Sequence, residues 1–164
     1  MNDEIYTLAK QVIDAAKHKG LTIATAESCT GGGIGAALTA ISGSSHVFEG
    51  GIISYSNEAK INLLAVPKKT IKKHGAVSGQ TAKAMAEGAR KALSTDLAIS
   101  VTGIAGPTGG SKDKPVGTVW IGLAQKNFGT QVERFIFADK GRENVRRDTV
   151  TTALKLLKQA LASG

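Results

Sequence analysis

Hydroxyl side chains and one lysine gather between Glu27 and Lys60, in the run ESCTGGG, GSS and YSNEAK. Ser28, Ser44, Ser45, Ser56 and, further on, Thr102 are candidate nucleophiles. A serine attacks a carbonyl only if a neighbouring base accepts its proton. The histidines, His18, His46 and His74, fall in separate elements and share no dyad or metal-ligand spacing. Lysine can serve as the base when burial lowers its pKa from about 10.4. Lys60 lies one helical turn beyond Tyr55-Ser56-Asn57 and is the candidate, although a helix lysine more commonly faces solvent. Cys29, the single cysteine, is an alternative nucleophile and excludes an internal disulfide.

Glycines supply a second kind of chemistry. Gly31, Gly33 and Ala36 fit G-x-G-x-x-A between a strand and a helix, a spacing that presents backbone N–H groups to a phosphate. No acidic residue closes a second strand about 20 residues on, so a mononucleotide fits better than a dinucleotide. Gly106 to Lys112 is glycine-rich but lacks the Gly-Lys-Ser/Thr order of a P-loop. With one cysteine and no H-x-x-x-H, no zinc pattern is present, and neither a metal nor another cofactor is called for.

These residues need a frame. Helical apolar spacing runs over 2–19, 34–41, 57–64, 79–93 and 142–161, with a short helical turn at 70–74. Strand-like runs cover 21–25, 46–54, 97–102, 116–124 and 131–137, and Gly50-Gly51 marks a bulge or a close backbone approach. Helices alternate with strands and a hairpin follows, which predicts an α/β domain with a mixed sheet between helical layers. A chain of 164 residues fits one domain spanning 1–164. Aromatics at 4% leave the core to Ala, Ile, Leu and Val. The net charge of +8 suits an anionic ligand. The lysines are scattered (Lys17, Lys72, Lys73, Lys91, Lys155, Lys158) without interleaved aromatics, which argues against a nucleic-acid partner. No apolar run is long enough to span a membrane and the N-terminus does not read as a signal peptide, so a cytoplasmic domain is expected.

Six segments carry a resemblance: AESCTGG at 26–32, GSS at 43–45, YSNEAK at 55–60, GAVS at 75–78, VTGIAGPTGG at 101–110 and KPVGTVW at 114–120. Together they resemble the CinA C-terminal domain family, which includes a nicotinamide-nucleotide amidase. The resemblance implies a three-layer fold and hydrolysis of the carboxamide of nicotinamide mononucleotide to nicotinic acid mononucleotide and ammonia, within pyridine-nucleotide recycling. It further implies a serine–lysine dyad with Ser45 as nucleophile, Lys60 as base and Tyr55 assisting the proton or orienting the lysine. Ser28, Thr30, Gly31, Gly32, Thr102, Gly103 and Arg142 are then expected to bind substrate, with Arg142 and the glycine loops at the phosphate. A homodimer is the expected assembly. Many family members carry a further domain resembling molybdopterin-binding proteins, and the stand-alone form is expected here. The rival reading is a non-catalytic DNA- or competence-associated binding module.

Overall fold

The computed structural model describes residues 1–163. Five strands form one mixed sheet, β1 (Ile23–Glu27), β2 (Phe48–Ile53), β3 (Leu97–Gly103), β4 (Thr118–Gln125) and β5 (Gly129–Ile136), in the order β2-β1-β3-β4-β5. β2, β1 and β3 run parallel, whereas β4 and β5 are antiparallel to their inner neighbours. Six α-helices cover the sheet: α1 (Asp3–Lys19), α2 (Gly33–Thr39), α3 (Asn57–Leu64), α4 (Lys68–His74), α5 (Gly79–Leu93) and α6 (Arg142–Ala162). The expected mixed α/β architecture is therefore present, with β1 lying two residues later than the sequence run suggests.

The alternation of side chains along each strand divides the core into two layers. Ile23, Leu97, Ile99, Val101, Val119 and Ile121 face α1, α2 and α6, where Val12, Ile13, Leu38, Leu154 and Leu157 complete a large aliphatic cluster. On the other face the strands present Ala24, Ala26 and Ala98 to Met85 and Ala89 of α5 and to Leu64 of α3. Small residues there let α5 come close. The Ser100 hydroxyl donates to Ala82 O at 2.6 Å, and a Cβ on Gly122 would stand 2.7 Å from the same carbonyl oxygen. Gly51 is a second close approach, because a Cβ there would collide with Thr25 Oγ1. The pairing of β1 and β2 also shifts register between Ile23 and Ala24. Both outcomes anticipated for Gly50-Gly51 thus occur in this strand pair.

The topology determines what meets at each end of the sheet. The chain leaves β1 toward α2 on one face and leaves β2 toward α3 on the other. Such a divergence opens a crevice at the carboxyl ends of parallel strands. β3 ends at this edge, β4 begins there, and β5 returns there to deliver the chain to α6. Five segments converge on one rim.

Candidate active site

Lys60 is the feature that sets this rim apart. It shares the inward face of α3 with Leu64, four residues on. It is 1% exposed, one of the largest fully buried side chains in the protein. Ser56 caps the helix by accepting from Ala59 N at 3.0 Å, which fixes where the lysine emerges. The Nζ lies 3.0 Å from Ser28 Oγ, 2.9 Å from Ser54 O and 3.1 Å from Tyr55 O. Burial lowers its pKa below the ordinary lysine value. The amine donates to the Ser54 and Tyr55 carbonyls and to the Ser28 hydroxyl, which itself donates to Tyr55 O at 3.4 Å. A desolvated lysine in contact with a serine hydroxyl is the arrangement that a serine–lysine pair requires.

Ser28 directly follows β1 and is 7% exposed. Its N–H donates to Val101 O at 3.1 Å, tying it to the end of β3. Ser28, Lys60, Tyr55, Thr102, Gly103 and Arg142 line one cavity of about 240 Å³, together with Cys29, Asn57, Ala76, Val77 and Ala105. The Thr102 hydroxyl donates to Ala76 O at 2.8 Å and so holds the facing wall. Arg142, the first residue of α6, donates to Gly106 O at 2.9 Å and to the Tyr55 hydroxyl at 3.0 Å. Arg142 thus stands at the positive end of α6, where a cation gains nothing from the helix dipole.

Three expectations are corrected. Ser45 does not meet Lys60 within the chain. It sits exposed on a 3-10 turn (Ser44–His46) before β2, whereas Lys60 follows β2. The six residues of that strand separate them by about 20 Å. The Lys60 partner is Ser28. Second, Gly31 and Gly32 are absent from the cavity wall, and the start of α2 is not free for a phosphate. The buried Glu27 side chain occupies it, accepting from Ile34 N at 2.8 Å and Gly35 N at 2.9 Å. Third, the Thr30 hydroxyl is committed to Glu27 at 2.6 Å and does not line the cavity. Tyr55 meets Lys60 through its main-chain carbonyl, at 3.1 Å, while its phenol accepts from Arg142 at 3.0 Å.

Cys29 is 5% exposed, and burial pushes its thiol up to about 12. It stays protonated near neutrality and lacks the thiolate that a cysteine nucleophile requires. Among the described residues no group of three or more His, Cys, Asp or Glu side chains is placed to hold a metal ion. No helix among them is long and apolar enough to cross a membrane.

Arg146 was not anticipated. Its Nε donates to Cys29 O and its Nη2 to Thr30 O, both at 3.1 Å. The signal was its spacing, four residues beyond Arg142 and hence on the same face of α6.

Comparison with known proteins bears on this geometry. Residues 5–161 match the family model described as the CinA C-terminal domain. A CinA-like protein of Synechococcus sp. is 49% identical over 155 residues, covering 94% of this chain and 37% of the relative. A putative competence-damage inducible protein of Acetivibrio thermocellus is 50% identical over 154 residues, covering 94% of this chain and 36% of the relative. The chain therefore spans about a third of the length of the curated relatives it matches. Among solved structures, the competence/damage inducible protein CihA from Agrobacterium tumefaciens superposes with a TM-score of 0.96 at 44% identity, covering 99% of this chain and 98% of that one. The CinA superfamily protein from Escherichia coli gives 0.90 at 31% identity, over 97% of this chain and 93% of that one.

Proposed function

The chain belongs to the CinA C-terminal domain family, and within that family we propose that it is an amidase acting on the carboxamide of a pyridine mononucleotide, with nicotinamide mononucleotide as substrate. The observation that carries the reading is a buried lysine 3.0 Å from a serine hydroxyl on the wall of a cavity. A lysine removed from water so completely costs stability, and groups perturbed in this way cluster at functional sites.

The reaction proceeds in two halves. Ser28 Oγ attacks the carboxamide carbon while Lys60 Nζ takes the hydroxyl proton, and the carbonyl electron pair moves to oxygen. As the tetrahedral intermediate collapses, Lys60 returns the proton to the leaving nitrogen, which departs as ammonia. Water, deprotonated by the same lysine, then cleaves the Ser28 ester and releases nicotinic acid mononucleotide. Arg142, with its cationic head at the cavity wall, is the group for the substrate phosphate.

Incubating the protein with nicotinamide mononucleotide, while measuring ammonia and the acid by chromatography, tests the reading. Equal molar release of both is expected. No release at any pH from 7 to about 10.4, where free lysine titrates, would sink it.

One observation favours a binding role instead. Lys69, Lys72, Lys73 and His74 of α4 line a shallow hollow of about 660 Å³, a basic patch away from Lys60. A duplex-binding module would show affinity falling steeply with salt. Absence of duplex binding at moderate salt would leave the patch as solvated surface.

A further inference from the structure

The turn that carries Ser28 has an unbalanced account of backbone hydrogen bonds. Over residues 28–30 the carbonyls are taken. Ser28 O accepts from Gly31 N at 3.0 Å, Cys29 O from Arg146, and Thr30 O from both Arg146 and Gly33 N. On the donor side, Ser28 N–H and Gly31 N–H are used. The N–H groups of Cys29 and Thr30 donate to no other residue among those described, the Cys29 N–H meeting only its own thiol sulfur. Both residues are buried, at 5% and 2% exposed. Buried backbone donors are nearly always paired, so two amides without a partner on another residue, in the turn that carries the cavity-lining Ser28 and Cys29, fit an acceptor that arrives from the cavity.

Arg146 imposes this arrangement. In a trans peptide the N–H points opposite to the C=O of the preceding residue. By holding Cys29 O toward α6, Arg146 turns the Thr30 N–H away from α6. Its second bond, to Thr30 O, keeps the next peptide plane from rotating. Glu27 anchors the far side by holding Thr30 Oγ1 and the first amides of α2. The turn is clamped from both directions.

We propose that the turn Ser28–Gly31 is the oxyanion hole of this site, with the N–H groups of Cys29 and Thr30 as donors and Arg146 as the residue that positions them. This rests on the serine–lysine amidase reading. When Ser28 Oγ bonds to the carboxamide carbon, the carbonyl electron pair moves to oxygen and the Ser28 proton moves to Lys60. The new negative charge falls on the oxygen that the two amides face. Donors already fixed in place stabilise that charge without reorganising. Arg146 touches neither substrate nor reacting atoms, and it acts through the turn.

Pyridine-3-boronic acid tests the assignment on the full chain, because its boron accepts the Ser28 oxygen and holds a tetrahedral oxygen where the oxyanion would be. In a crystal structure of the wild-type adduct, a boronate oxygen at about 2.7–3.1 Å from the Cys29 and Thr30 nitrogens supports the proposal. That oxygen bound to other donors overturns it, while leaving Ser28 as the nucleophile. An adduct with its oxygen on the two amides, in a protein that releases no ammonia from nicotinamide mononucleotide, separates a failed substrate assignment from a sound oxyanion hole. In Arg146→Lys and Arg146→Gln, kcat is expected to fall on the order of 10- to 100-fold with KM nearly unchanged, and boronate affinity to fall by a similar factor. Wild-type kcat and boronate affinity in both variants would overturn the positioning role. The wild-type adduct decides the donors even if neither variant folds.

Discussion

Two serine-glycine turns, one after β1 and one before β2, look alike in sequence and differ in what surrounds them. Both use glycine in a left-handed conformation, at Gly31 and Gly32 after β1 and at Gly43 before β2. Both place a lysine nearby. Beside Ser28 that lysine is Lys60, sealed from water. Beside the Gly43 turn it is Lys17, exposed on α1, whose Nζ would stand 3.3 Å from a Cβ at Gly43. Lys17 stands in water, whereas the amine of Lys60 is desolvated, the condition under which a lysine can serve as a base. Whether a lysine beside such a turn is buried thus follows from which end of the parallel strands the turn occupies, rather than from the residues in the turn.

The largest effect that this contrast implies is at Ser28. Removing its hydroxyl in Ser28→Ala leaves the cavity, Lys60 and the substrate contacts in place but takes away the attacking atom. Ammonia release is expected to fall by at least about 10³-fold, the usual scale for losing a nucleophile. Retention of turnover within tenfold would move the chemistry off this turn.

Next comes the base. Replacing Lys60 by Met keeps much of the volume and removes the proton acceptor, with an expected loss on the order of 10²–10⁴ in kcat. In the wild type, activity should rise with pH through the folded-state pKa of Lys60, which lies below the usual value of 10.5. Stability follows the same linkage. Because the folded pKa is depressed, the unfolded chain binds more protons between that pKa and 10.5, so folding becomes more favourable as pH rises through this window. Melting curves should show wild type gaining on Lys60→Met across that range. A constant difference would mean that the lysine is not desolvated.

Much of this frame was legible in the sequence. The helical spacing over 2–19, 57–64 and 79–93 is matched by helices that Asn2, Ser56 and Ser78 cap, each side chain accepting from an N–H three residues on. The alternating helices and strands implied the mixed sheet. Less legible was the location of the chemistry. The apolar run that marks β1 stops at Thr25, because Ala26 and Glu27 do not look like strand, and this left Ser28 in a loop instead of at a strand end. Glu27 could not be read as the α2 cap, since nothing in its spacing says that a buried acid will fold back on the glycines. The strand between Ser45 and Lys60 was visible, however, and a strand of six residues already forbids their contact. Pairing the two was an error of reach, not of motif.

A smaller effect is expected from Glu27→Gln. The amide offers one acceptor oxygen where the acid offers two, so one of the three donors (Thr30 Oγ1, Ile34 N or Gly35 N) must face an NH₂ group. The cost should be about 1–3 kcal/mol, or roughly 2–4 °C of melting temperature per kcal/mol for a chain of this size. A melting temperature equal to wild type would show that α2 does not depend on this carboxyl group.

The smallest effect sharpens the comparison most. Ser45 is exposed on the short 3-10 turn, and its hydroxyl holds no partner among the described residues. The turn is kept by main-chain bonds instead, His46 N to Gly43 O at 3.2 Å and Val47 N to Ser44 O at 3.0 Å, which a side-chain truncation leaves intact. Ser45→Ala should therefore change stability by no more than about 0.5 kcal/mol. Its kcat and KM should match the wild type, since no atom of Ser45 lines the cavity. A loss comparable to that of Ser28→Ala would have one physical meaning. The oxygen of Ser45 would have to reach a cavity about 20 Å away along β2, which a single chain in this fold does not permit. Only a second copy, presenting its own Gly43 turn across the rim, would satisfy such a result. Mixing Ser28→Ala with Ser45→Ala protein would then restore activity.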